Sequence, residues 1–84
     1  MNVVLYQTLD CPFSEKVRTF IENNGVKSFV EYRDIEKDNE AYSELVQFTQ
    51  KSQVPCLVVD NCPVLGSDEI IDELKSLFLT SKAS

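Results

Sequence analysis

Val3-Val4-Leu5-Tyr6 is the stretch that most narrows what this chain can fold into. It is apolar and rich in β-branched residues, with no polar alternation. Such a run reads as a strand covered on both faces, as in the centre of an α/β sheet. The residues that follow agree. Pro12 suits the first turn of a helix, where its missing N–H costs nothing. Val17, Phe20 and Ile21 then repeat at helical spacing. Asn23-Asn24-Gly25 is a stop signal, with Gly25 suited to a left-handed cap.

Further along, Ser28 to Ile35 predicts a second strand with Phe29, Val30, Tyr32 and Ile35 as its apolar members. The polar turn Glu36 to Asn39 starts a helix whose expected buried face is Ala41, Tyr42, Leu45, Val46 and Thr49. Gln50 to Gln53 is a polar linker. Val54 to Val59 predicts a third strand opened by Pro55, and Asp60-Asn61 is a two-residue hairpin turn. Cys62 to Leu65 is a short fourth strand whose Pro63 places it at a sheet edge. A last helix starts at Gly66-Ser67-Asp68-Glu69, with Ser67 or Asp68 as its cap. Ile70, Ile71, Leu74, Leu77 and Phe78 form its apolar face, and Leu79 to Ser84 is expected to fray. The order is β-α-β-α-β-β-α. The first two strands should be parallel with a right-handed crossover, and the last two an antiparallel hairpin. Residues 1–84 are expected to form one small domain.

Composition removes several function classes. The net charge is -6, with eight basic residues against fourteen acidic ones. Nucleic acid and anionic membrane surfaces need clustered Lys and Arg, so neither is an expected partner. The absence of histidine excludes Cys-His and Ser-His-Asp hydrolase sites and removes the commonest metal ligand; no metal site is expected. Three cysteines, at 11, 56 and 62, are an odd set at irregular spacing and not a disulfide framework. With Asp60-Asn61 as the turn, Val59 faces Cys62 and Cys56 faces Leu65, which separates Cys56 from Cys62. Free thiols suit a reducing compartment. No signal peptide and no apolar run of membrane-spanning length is visible, so the expected location is cytoplasmic.

Cys11 is the candidate for chemistry. It stands where an apolar strand ends and a helix begins. A thiol there faces unpaired backbone N–H groups and the positive end of the helix dipole. Both favour the thiolate, which is the nucleophile. Cys56 follows Pro55 directly, but strand alternation turns its side chain away from that of Pro55 and toward simple packing.

Three motifs in order, Cys11-Pro12-Phe13-Ser14, Val54-Pro55 and Gly66-Ser67-Asp68, resemble those of the glutaredoxins and of the N-terminal domains of glutathione transferases. The resemblance covers Val3 to about Leu79 and implies a thioredoxin-like α/β fold, a four-stranded mixed sheet with helices on both faces. Ser14 stands where dithiol glutaredoxins carry a second cysteine, so the motif is monothiol. The implied activity is glutathione-dependent thiol-disulfide exchange on glutathionylated proteins or small mixed disulfides, by a monomer. Cys11 would form the mixed disulfide, with Ser14 donating to its thiolate and Phe13 beside it. Val54 would pair its backbone with the cysteinyl part of glutathione, and Pro55 would be cis. Ser67 would hold the γ-glutamyl carboxylate and Asp68 the amino group, with Lys51 near the glycyl carboxylate. Thr8 stands where the family commonly has a lysine, and Asp10 adds a negative charge; both are expected to raise the thiol pKa relative to the family norm. Two alternatives accompany this reading: a [2Fe-2S] carrier, which Pro12 disfavours by stiffening the loop, and a catalytically weak glutathione-binding module.

Overall fold

In the computed structural model, which describes residues 2–79, the central strand spans Val3–Gln7 (β1). It pairs in parallel with β2 (Glu31–Asp34) and antiparallel with β3 (Cys56–Val59). β3 pairs in turn with β4 (Cys62–Leu65), giving the order β2-β1-β3-β4. The hairpin register is the expected one, Val59 opposite Cys62 and Cys56 opposite Leu65. Asp60 and Asn61 both take positive φ, 48° and 73°, which matches the right-handed twist of the strands they join.

Alternation along β1 sends side chains to two different layers. Val3 and Leu5, with Leu57 of β3, pack against Val17 and Ile21 of α1 (Pro12–Asn23) and Ile70 and Leu74 of α3 (Ser67–Leu74). Tyr6, Cys56 and Val58 face Ala41 and Leu45 of α2 (Asn39–Thr49) on the other side. This is a thioredoxin-like α/β fold with a mixed sheet between helices. Burying a Leu, Ile or Val fully stabilises by about 1.5–3 kcal/mol each. Those two layers therefore hold the sheet on which the site is mounted.

Several boundaries differ from the sequence expectation. Ser28 and Phe29 lie in a 3₁₀ turn, Lys27–Phe29, and β2 begins only at Glu31. Val26 and Val30 turn inward from that segment, while Phe29 stays exposed and stacks on Phe78 at 5.5 Å. Tyr42 is exposed and does not belong to the buried face of α2; Phe48 packs there instead, near Tyr6. Asp38 caps α2, accepting from the N–H groups of Glu40 and Ala41. β3 starts at Cys56, so Val54 and Pro55 precede the strand. Neither Ser67 nor Asp68 caps α3: Gly66 is the N-cap, with φ 96° and no side-chain bond. A residue with a Cβ disfavours that backbone, so a glycine leaves Ser67 free as the first helical residue. Beyond α3 a π-helical turn spans Lys75–Leu79, and Leu77 and Phe78 pack on the core from it. Leu79 thus closes a helical turn, and the rest of the expected frayed tail lies outside the described residues. No helix among the described residues is long and apolar enough to cross a membrane.

Candidate functional site

Cys11 is the N-cap of α1, in extended conformation, and its carbonyl accepts the first helical hydrogen bond from Glu15 N–H at 2.9 Å. Pro12 takes the first helical position, as expected. The backbone N–H groups that follow have no helical acceptor and are free to face the sulfur. Burial of the sulfur opposes ionisation. Against it act the N–H and hydroxyl of Ser14, the N–H of Phe13 and the charge of Arg18; these prevail, and the thiol lies below its ordinary value.

Ser14 is fully buried, and its Oγ has no partner within conventional hydrogen-bond geometry. The same hydroxyl favours the Cys11 thiolate. The hydroxyl makes no bond to the sulfur in this structure and is placed to donate once the sulfur is a charged acceptor. A buried hydroxyl without a partner is costly, and ionisation of Cys11 relieves that cost.

Arg18 is the residue that inspection of the sequence misses. It lies two helical turns after Cys11. Its guanidinium donates to the side-chain oxygen of Gln7 and, at 2.9 Å, to the carbonyl of Thr8. Gln7 and Thr8 are themselves buried at the end of β1. The positive charge absent from position 8 is thereby supplied from the helix, and the site is not without one. The seven-residue spacing from Cys11 to Arg18 on one helix face was the available signal.

Across from the thiol, the Val54–Pro55 bond is cis, and Cys11 Sγ lies 4.0 Å from the Val54 carbonyl oxygen. Phe13, Gln53, Val54, Pro55, Gly66 and Ser67 line a cavity of about 240 Å³. The structure therefore brings together Cys11, Phe13, Ser14, Val54, Pro55 and Ser67, and adds Gln53 and Gly66. Phe13 is 63% exposed, a large apolar surface beside the reactive sulfur. The carboxyl of Asp68, adjacent to Ser67, is lowered from its ordinary value by a hydrogen bond and charge from Lys16. Lys51 is exposed on the linker, outside the cavity lining, and its backbone N–H donates to Thr49 Oγ1 at 3.1 Å.

The other two thiols are placed differently. Cys56 is fully buried against α2, and burial pushes its thiol up to about 11. That is the environment of a packing residue, not of a second nucleophile. Cys62 is exposed on the edge strand. All three are free. Among the described residues no cluster of His, Cys, Asp or Glu is arranged to hold a metal ion.

A glutaredoxin family model matches residues 3–64, a span that holds Cys11 and Val54-Pro55 and stops before Ser67. No curated protein matches the chain. Among solved structures, the thioredoxin-like protein BC3987 superposes with a TM-score of 0.74 at 28% identity, over 92% of this chain and 100% of that one. Human glutathione transferase theta-2, solved in complex with glutathione and an unknown ligand, gives a TM-score of 0.79 at 21% identity. A glutathione transferase family member from Pseudomonas fluorescens Pf-5, solved with bound glutathione, gives 0.75 at 22%. The chain covers 32% and 38% of those two proteins and is itself covered over 94% and 90%. At these identities the likeness to the transferases is one of fold.

Proposed function

The chain belongs to the glutaredoxin family, and from that premise we propose that it is a monothiol, glutathione-dependent thiol-disulfide oxidoreductase working through Cys11. The observation that carries the reading is a thiol on a helix N-terminus, 4.0 Å from the Val54 carbonyl oxygen and beside a groove walled by Val54-Pro55 and Gly66-Ser67. Glutathione-bound relatives of the same fold support the choice of ligand.

The cavity is smaller than the roughly 300–1,000 Å³ of pockets that enclose a drug-sized ligand. A tripeptide would lie along it with one side in solvent. Its cysteinyl part would pair with the backbone of Val54, whose N–H has no protein partner among the described residues. Ser67, the first residue of α3, would bind the γ-glutamyl carboxylate at the helix N-terminus. Asp68 would take the ammonium. The glycyl carboxylate would fall toward Gln53, with Lys51 two residues upstream as its basic neighbour.

The Cys11 thiolate attacks the glutathione sulfur of a mixed disulfide. That S–S bond breaks, and the substrate sulfur leaves with the bonding pair and takes a proton from water. Cys11 now carries glutathione. A second glutathione thiolate attacks the glutathione sulfur of that adduct, releasing oxidised glutathione and restoring the Cys11 thiolate. The sum is one mixed disulfide and one glutathione consumed, one thiol and one oxidised glutathione formed. No second protein thiol takes part, consistent with Ser14 in the motif and Cys56 buried. Ser14, the α1 N–H groups and Arg18 stabilise Cys11 as the leaving thiolate in the last step.

Intact-mass measurement after incubation with oxidised glutathione tests the reading. A single one-glutathione adduct is expected, absent in Cys11→Ser. With the exposed Cys62 changed to serine in both proteins, a parent that acquires no adduct, or a Cys11→Ser variant that still does, refutes it. Turnover of a small glutathione mixed disulfide then separates an enzyme from a binding module.

A further inference from the structure

Lys16 and Asp68 make a contact for which neither stability nor disulfide exchange itself gives a reason. Lys16 lies in the second turn of α1 and Asp68 in the first turn of α3. Lys16 Nζ is 2.6 Å from Asp68 Oδ1, and the side chains are 52% and 83% exposed. A pair so open to solvent adds little to stability. It nevertheless stands next to the cavity wall, since Ser67 lines the cavity and Asp68 follows it.

The pair also keeps spare valences. An ammonium has three donors, and a carboxylate accepts on both oxygens. Among the described residues Lys16 Nζ touches only Asp68, through Oδ1, and Oδ2 has no partner. A cation with free donors thus sits beside an anion with a free acceptor. A simple amine or a simple carboxylate meets attraction and repulsion there together. A group carrying both charges on one carbon meets two attractions.

We infer that Lys16 and Asp68 form a clamp that reads the zwitterionic α-amino-acid end of the thiol ligand, Asp68 taking the ammonium and Lys16 the carboxylate. This rests on the glutathione reading above, whose γ-glutamyl end is such a group, and it adds Lys16 to the binding residues. Bound ligand and clamp would set four charges alternating in sign, with each ammonium between two carboxylates. Thiols without an amino-acid end gain nothing from the clamp, so it selects for ligand class.

Calorimetric titration with S-methylglutathione, which cannot form a disulfide with Cys11, tests the clamp. Its decarboxylated counterpart, with a γ-aminobutyryl group in place of γ-glutamyl, is titrated in parallel. Lys16→Gln is expected to weaken S-methylglutathione by about two- to fivefold, the effect fading at high salt. The decarboxylated ligand should bind the variant and the wild type alike. Equal weakening of both ligands means that Lys16 only steadies Asp68, and it overturns the clamp. Tighter binding by the variant means that Lys16 competes with the ligand's ammonium, and it overturns the clamp as well. If S-methylglutathione binds both proteins equally, the clamp fails and the glutathione reading stands. If it does not bind the wild type, both fall.

Discussion

Ser14→Ala removes a hydroxyl that has two opposite effects, and the balance between them is measurable. In the thiol state Ser14 Oγ is buried without a hydrogen-bond partner, so deleting it costs nothing in hydrogen bonding. In the thiolate state the hydroxyl donates to Cys11 sulfur, and deleting it removes a bond to a charged acceptor. Such bonds are worth about 1.5–3 kcal/mol. Cys11 is only partly buried, so solvent screens the charge and the lower end of that range applies. About 1.4 kcal/mol corresponds to one pKa unit, and the Cys11 thiol is expected to rise by about one unit. The rate of alkylation by iodoacetamide as a function of pH reads the midpoint directly. The folded thiol lies below its ordinary value, so its ionisation stabilises the fold above that ordinary value, and the gain is lost as pH falls through the folded value. Freed of an unpartnered buried hydroxyl, the variant should therefore be the more stable protein at about pH 5, and the balance should move by about 1 kcal/mol toward the wild type between about pH 5 and about pH 9.5. An alkylation midpoint that does not move, or a stability gap that is the same at both pH values, refutes the role assigned to the hydroxyl.

Arg18→Met should also raise the Cys11 midpoint, by less than Ser14→Ala because the guanidinium acts through charge and not through a direct bond; Arg18→Lys should restore part of it, and an unshifted midpoint in Arg18→Met would remove Arg18 from the site. Gly66→Ala forces a Cβ onto a backbone with φ 96° and should cost about 1–3 kcal/mol in urea unfolding; because the added methyl meets only ordinary contacts, 3.5 Å from Glu69 Cγ at the nearest, a larger loss would point to a clash instead. Cys56, buried and with its thiol pushed up to about 11, should resist alkylation in the native protein at neutral pH, and Cys56→Ala should leave glutathione adduct formation at Cys11 intact. Labelling of Cys56 at the rate of Cys11 would contradict its placement in the α2 layer.

Much of the fold can be read from the residues alone, because its determinants are local. An unbroken apolar run marks a strand covered on both faces, and Val3–Gln7 is that strand. Pro12 fixes the start of a helix, and Asp60-Asn61 accepts the positive φ that a tight hairpin demands. The hairpin register follows from the turn, and the cysteine pairing it excludes follows from the register. Cys11 on the helix N-terminus, the likeness to glutaredoxins and the cis Val54–Pro55 bond belong to the same class of inference. They depend on neighbours within a few positions, or on motifs at element boundaries.

What the sequence could not decide depends on which distant surfaces meet. Phe29 and Tyr42 are apolar enough to be buried, yet they fall outside the two layers that the sheet can cover. Whether Gly66 or Ser67 caps α3 turned on one backbone angle set where β4 runs into the helix. The charge beside the thiol comes from Arg18 and not from position 8, because the guanidinium folds back onto Gln7 and Thr8 at the end of β1. Lys16 and Asp68 are 52 positions apart. They touch only because the sheet brings α1 and α3 to the same face. The chemistry of Cys11 was therefore legible locally. The groups that tune it and face its ligand were not, because electrostatics acts through space and the sequence does not record distance.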